Sequence, residues 1–490
     1  MIIEALIIVA LIVSGASLLR AYGLNGFALL PLGFMSGIGL FMIFSYIQAF
    51  FGAQATILFP LGVSVLAPII LLLVKYRQQK VKIGFSPVFL GGLLCIIVLS
   101  IAIGEANLFK FHFDSLRYLT TASILATGEL DSLHLYRFEW RFTSIAMLHS
   151  LSNFTDEFYL RSIHPLISGA LLSSMGWIVY EGFKKTVSHQ RLLILIFSSI
   201  LFLATAHTYV WHTFYINGHL LMGAFAMLAA GLPWLIAQKG NDVPVKAHVI
   251  AWSLAVVGLI FTRPEGAFMA IIILAPSLMS DKIRFRYRSF VLGVFSTAVV
   301  VQQSFIIYTI LNIDGGRDMP LAAMGLLGLG LLGFIAIPLL GSRKLTRENM
   351  LPNIAEFGLW LLLALFIFNS PDIFINSLTA TIENVILSDG NWGLSFTTLT
   401  IIFVLSLLIW KFPYQVFVRF PITAFVPSAF LIAYLRGGAY RVGAGDSFNR
   451  MLMHIVPMML LFVILSAAKG ELNPGLSSLL YKLKRPFVRL

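Results

Sequence analysis

Charge is what this 490-residue sequence lacks most. Only 11% of its residues are Asp, Glu, Lys or Arg, against about 25% in soluble domains. With 59% hydrophobic residues and a mean hydropathy of +0.91, a soluble globular fold is excluded. Cysteine is nearly absent as well. The single Cys95 sits in an apolar run, which rules out an intramolecular disulfide and suggests a packing role. The ~10-residue alternating segments of a membrane barrel are missing. So are a Walker A loop, a paired CxxC, HExxH and a nucleophile elbow, so ATP-driven transport and cytoplasmic nucleotide chemistry have no support. No basic segment precedes the apolar run after Met1-Ile2-Ile3-Glu4, which therefore reads as a first span and not as a cleaved signal peptide.

What the sequence has in abundance is apolar runs near the ~20 residues that cross a ~30 Å hydrocarbon core. They predict an all-α polytopic membrane protein of about 13–15 transmembrane helices, including 265–280, 320–340 and 392–410. The formal charge of +13 does not point to nucleic acid, because the basic residues fall in short alternate loops. Lys75/Arg77/Lys80/Lys82, Lys184/Lys185/Arg191, Lys282/Arg284/Arg286/Arg288, Arg343/Lys344/Arg347 and the tail Lys482/Lys484/Arg485 all fall on one side. Acids favour the other side. The positive-inside rule then predicts an N-out, C-in chain. Its outer side is the periplasm or exterior of a bacterium, with the inner membrane the expected location, or the lumen in a eukaryote.

The longest polar interval, 105–161, lies on the outer side and opens with Phe111-His112-Phe113-Asp114-Ser115-Leu116-Arg117-Tyr118. It also holds Glu129, Asp131, Glu139, Asp156 and Glu157. Leu116, Leu119, Ala122 and Leu125 predict one face of an interfacial helix starting at Asp114. Asp114 is then either an N-cap or a catalytic carboxylate. His112 stands two residues before it. Arg263-Pro264-Glu265 breaks two apolar runs, leaving a charge pair that seals a hairpin or serves a site. Arg436, Arg441 and Arg450, with His454 one turn on, surround flexible glycines and suit a phosphate anion or a snorkelling role. His207, His212 and His219 match no metal-ligand spacing. Of the outer aromatics, Trp211 among them, most belong to the interfacial belt and a few are placed to stack on a sugar.

Taken together, the Asp-led outer loop, Thr262-Arg263-Pro264-Glu265-Gly266, and Asn449-Arg450-Met451-Leu452-Met453-His454-Ile455-Val456-Pro457 resemble the GT-C superfamily of integral-membrane glycosyltransferases. The likeness covers roughly 85–467, leaving 1–84 as a three-helix addition and 468–490 as a basic cytoplasmic tail. It implies transfer of a sugar from a polyprenyl-phosphate donor to a lipid, glycan or protein hydroxyl, with inversion. Asp114 would be the general base, and Arg263, Arg441, Arg450 and His454 would hold the donor phosphate. Glu265, His112, Arg117, Trp211 and His212 would contact sugar or acceptor. No cofactor is called for, and nothing in the sequence supports a divalent metal. Membrane lipids are the other expected partners. A glycan polymerase or ligase-type enzyme and a lipid or solute transporter are the alternatives. A transporter would place its ionisable residues at mid-span.

Overall fold

The computed structural model describes residues 1–50, 58–109, 111–127, 144–155, 157–312, 336 and 350–472. Glu129, Asp131, Glu139 and Asp156 of the acidic loop lie outside these residues, as do the expected span 320–340, the Arg343/Lys344/Arg347 loop and the basic tail.

The described chain is almost entirely helical. In order come α1 (Ile2–Ala21), α2 (Pro31–Phe50), α3 (Leu58–Arg77), α4 (Pro87–Ala106), α5 (Phe113–Thr127), α6 (Ser144–Ser150) and α7 (Ile163–Phe183). Then follow α8 (His189–Thr205), α9 (His207–Thr213), α10 (His219–Lys239), α11 (Val245–Thr262), α12 (Gly266–Met279) and α13 (Phe285–Asn312). The last are α14 (Met350–Asn369), α15 (Pro371–Val385), α16 (Gly393–Ile409), α17 (Val416–Leu435), α18 (Ser447–Met451) and α19 (Val456–Lys469). Eleven of the described helical segments are long and apolar enough to cross a membrane, and twelve if the bent pair α8–α9 is one span. This is an all-α polytopic membrane protein. Two of the expected spans form shorter apolar helices, α12 and α16. At ~1.5 Å per residue the 14 residues of α12 reach only about 21 Å.

Burial sorts the helices into a centre and a rim. The membrane-crossing window of α10 is 94% buried, whereas those of α3, α4, α13 and α14 are between 11% and 22% buried and turn apolar side chains outward. With lipid as the solvent, such outward leucines and phenylalanines cost nothing, and close packing holds the centre together. Helices α1 and α2, set apart as an addition on sequence grounds, belong to one continuous core with α7, α10 and α11. The contact runs through Gly15 on α1 and the Gly33-x-x-x-Gly37 pair on α2. A Cβ on Gly37 would collide with the Leu11 carbonyl, and one on Gly15 with the Gly33 carbonyl.

The two ends of the bundle differ. At one end the basic loops meet: Arg20 donates to the Lys82 carbonyl, Lys185 pairs with Asp242, and Arg191 reaches the Ala467 carbonyl. There too Trp410 and Leu472 pair in a two-stranded antiparallel ladder. At the other end Glu4 accepts the Ser162 N–H at 2.6 Å, and Tyr159 donates to Asn107 at 3.0 Å. Helix α5 lies at this second end, packed on α6. Its protein-facing side is Ser115, Tyr118, Leu119 and Ala122, while Leu116 is 48% exposed. The stripe is thus rotated from the expected one, with Ser115 and Tyr118 on the buried side and Leu116 outside it.

Gly37→Val should destabilise the protein by about 1–3 kcal/mol through overpacking, read as a lower Tm in detergent. Gly62→Val, where a side chain meets nothing within 4 Å, is the control. Equal Tm values for the two variants would contradict packing of α1 on α2 through these glycines.

Candidate functional site

The polar residues at the α5 end converge from five places in the chain. Asp114 lies in the first turn of α5, one residue inside the helix, so it is not the N-cap expected for a purely local role. Its carboxylate gains from the helix N-terminus, and it accepts a hydrogen bond from Arg450 Nη1 at 2.7 Å. The Asp114 side chain is 30% exposed and that of Arg450 15%. Arg450 is aimed by its own turn. Asp446 caps α18 by accepting the Phe448 N–H at 2.9 Å and also holds the Arg441 N–H at 3.1 Å. Asn384 on α15 clamps the same loop, donating to the Arg441 carbonyl and accepting from the Gly443 N–H.

Tyr215 joins the pair to His112. Arg450 Nη1 donates to its hydroxyl at 3.4 Å, and the hydroxyl lies 3.2 Å from His112 Nδ1. Because the Asp114 N–H also donates to His112 Nδ1, that nitrogen is an acceptor and the tyrosine is its donor. Burial pushes the Tyr215 phenol up to about 12, so it remains a neutral donor. Trp211 stacks on Tyr215 with ring centroids 4.2 Å apart.

The second half of the site is built on the α11–α12 break. Pro264 has no N–H, so the Ile260 carbonyl four residues earlier loses its helical donor. Gln302 on α13 replaces it, donating to the carbonyls of Ile260 and Arg263. Arg263 is thereby held at the turn, with Nε donating to Glu265. Burial opposes the Arg263 charge, but Glu265, Tyr118 and Asp114 together offset it and raise the guanidinium pKa.

Arg263 Nη1 also lies 3.3 Å from His219 Nε2, and His219 Nδ1 lies 2.9 Å from His454 Nε2. A guanidinium only donates. His219 must therefore accept at Nε2 and donate from Nδ1, and His454 accepts at Nε2 and carries its proton on Nδ1. That Nδ1 is buried without a hydrogen-bond partner among the described residues, as are His212 Nε2, Asn217 Nδ2 and Glu265 Oε2. Leaving such groups unpaired costs about 1–3 kcal/mol each. They are the atoms a bound ligand or water would satisfy. The Tyr118 ring stands between the halves, within electrostatic reach of Arg263, Glu265, Asp114 and Arg450, and burial raises its phenol pKa.

The residues chosen from sequence thus separate. Asp114, His112, Arg450, Trp211, His212, Arg263, Glu265 and His454 share one end and are linked directly or through Tyr118, Tyr215 and His219. Arg117 lies partly buried on α5, three residues beyond Asp114. Arg441 is exposed, and its neighbours hold its backbone, because the glycine-rich loop, with positive φ at Gly437 and Gly443, turns its side chain outward. Among the described residues no three His, Cys, Asp or Glu side chains group as a metal site. A small cavity of about 40 Å³ adjoins Trp211, lined by His207, Thr208, Asn391 and Asn449.

Sequence reasoning missed Gln302, gave Tyr118 no role, and weighed Tyr215 only as an outer aromatic and His219 only as a metal ligand. A glutamine within an apolar helix is a signal that could have exposed Gln302. No family model, curated protein or solved structure matches this chain. The site is therefore judged on its own chemistry.

Asp114→Asn and Arg450→Gln should each lower stability by about 1–3 kcal/mol. The double variant should lose about 1 kcal/mol less than their sum. Strict additivity in detergent unfolding would contradict the ion pair.

Proposed function

We propose that this protein is a membrane glycosyltransferase that moves a sugar from a polyprenyl-phosphate donor to an acceptor hydroxyl at the outer membrane face. The observation that carries this reading is the pairing of a part-exposed carboxylate, Asp114, with Arg450, at the same end as a second partly buried cation, Arg263. A base and two phosphate-binding cations are the parts this reaction needs.

In this reading the acceptor O–H gives its proton to Asp114 while its oxygen attacks the anomeric carbon. The bond from that carbon to the phosphate oxygen breaks, and its electron pair leaves with the polyprenyl phosphate. Configuration inverts through an oxocarbenium-like transition state. Arg450 and Arg263 stabilise the growing negative charge on the departing phosphate, and the His454 N–H is a further donor. Arg450 therefore exchanges its partner: it rests on Asp114 until an anionic donor arrives, and its transfer to the phosphate frees the carboxylate as base. Trp211 and His212 face the sugar or acceptor.

Orientation is part of the proposal. The described basic loops gather at the end opposite the site, which favours an N-out, C-in arrangement; a bacterial inner membrane is the location this reading takes. Clustering of the ionisable groups at one end, not at mid-span, favours an enzyme over a transporter.

Asp114→Asn should reduce transfer from polyprenyl-phosphate hexoses or pentoses by about 10²–10⁴-fold while farnesyl phosphate still binds. Arg450→Gln should weaken farnesyl phosphate binding, measured by the shift in Tm the ligand produces. Full turnover by the asparagine variant would remove Asp114 as the base. Undiminished farnesyl phosphate binding by the glutamine variant would remove Arg450 from the phosphate site.

A further inference from the structure

Helix α15 has 15 residues, too few to cross a ~30 Å core, and its surface divides into three sectors. Ile375, Leu378, Ile382 and Ile386 follow one another at steps of three and four, a single helical stripe, and all four are exposed. Asp372, Asn376 and Thr379 are exposed on an adjoining polar side, which Glu383 shares. Ser377, Ala380 and Asn384 are buried on the remaining side. A helix facing only protein and water has no use for an exposed isoleucine stripe.

The neighbours say what covers that stripe. The membrane-crossing α14 ends at Asn369, and the apolar α16 begins at Gly393. Helix α15 therefore joins two lipid-embedded segments at the end of the bundle that holds Asp114 and Arg450. We propose that α15 lies in the plane of the membrane, with Ile375, Leu378, Ile382 and Ile386 in the headgroup–acyl boundary of a phospholipid bilayer. Its polar side faces water, and its buried side seats the loop that leads to Arg450. Ser377 accepts the Tyr440 N–H at 3.1 Å, and Asn384 holds both the Arg441 carbonyl and the Gly443 N–H. The bilayer surface thus fixes the height of that loop. This inference stands on the helix itself and does not depend on the reaction class.

Nitroxide labels test it in the full-length protein carrying Cys95→Ser, reconstituted in phosphatidylethanolamine–phosphatidylglycerol liposomes. Ile375→Cys and Ile382→Cys place labels on the apolar stripe, and Asn376→Cys and Glu383→Cys on the polar side. The stripe labels should collide preferentially with oxygen, at a depth of about 5–10 Å. The polar-side labels should collide preferentially with a water-soluble nickel chelate. Equal nickel accessibility on both sides would overturn the proposal, because the stripe would then face water. Stripe labels shielded from both reagents would overturn it too, because protein would then cover them.

Discussion

Asp114 and Arg450 lie 336 residues apart in the chain and 2.7 Å apart in space. That contact demands that α5 and α18, at the head of the last described span, meet over the N-terminal end of α10. Near lipid, a lone carboxylate or guanidinium is expensive, and each one's partner is the other. The scaffold around the pair serves this meeting. Asp446 and Asn384 hold the arginine loop, and Tyr215 accepts from Arg450 and links it to His112.

The buried histidines follow from the same constraint. His219 opens a helix that is buried on every side, so its imidazole cannot reach bulk water. Arg263 supplies a donor to one nitrogen, and His454 accepts from the other. A fixed guanidinium therefore sets the tautomers of two histidines in turn, with no acid required. The direction ends at the His454 N–H, which is buried without a hydrogen-bond partner among the described residues, as are His212 Nε2 and Asn217 Nδ2. Unpaired buried atoms that include both donors and acceptors suit a ligand bearing hydroxyls and an anion.

The class and most of the span positions among the described residues were legible in the sequence, because hydropathy reports directly on a bilayer. The charged half of the site was legible too, since a carboxylate or arginine at a span boundary needs a reason. Tyr118, Tyr215 and Gln302 were not, because tyrosines are ordinary at membrane interfaces and a glutamine's partner is a tertiary fact. The carbonyl freed by Pro264 is visible in the sequence, but the helix that supplies its donor is not. The rotation of α5 was hidden for a similar reason: which side of the helix packs on α6 is a tertiary fact. Arg441 was chosen for its charge, and backbone contacts turned it outward.

The central claim is that the cluster around Asp114 and Arg450 transfers a sugar from a lipid phosphate. Mass analysis of lipid and envelope glycan extracts from cells with this chain deleted tests it most directly. The prediction is loss of one sugar residue from a defined glycan, glycolipid or glycoprotein, together with accumulation of the matching polyprenyl-phosphate sugar. Both changes should be reversed by restoring the chain. Extracts indistinguishable from those of the parent cells would contradict it.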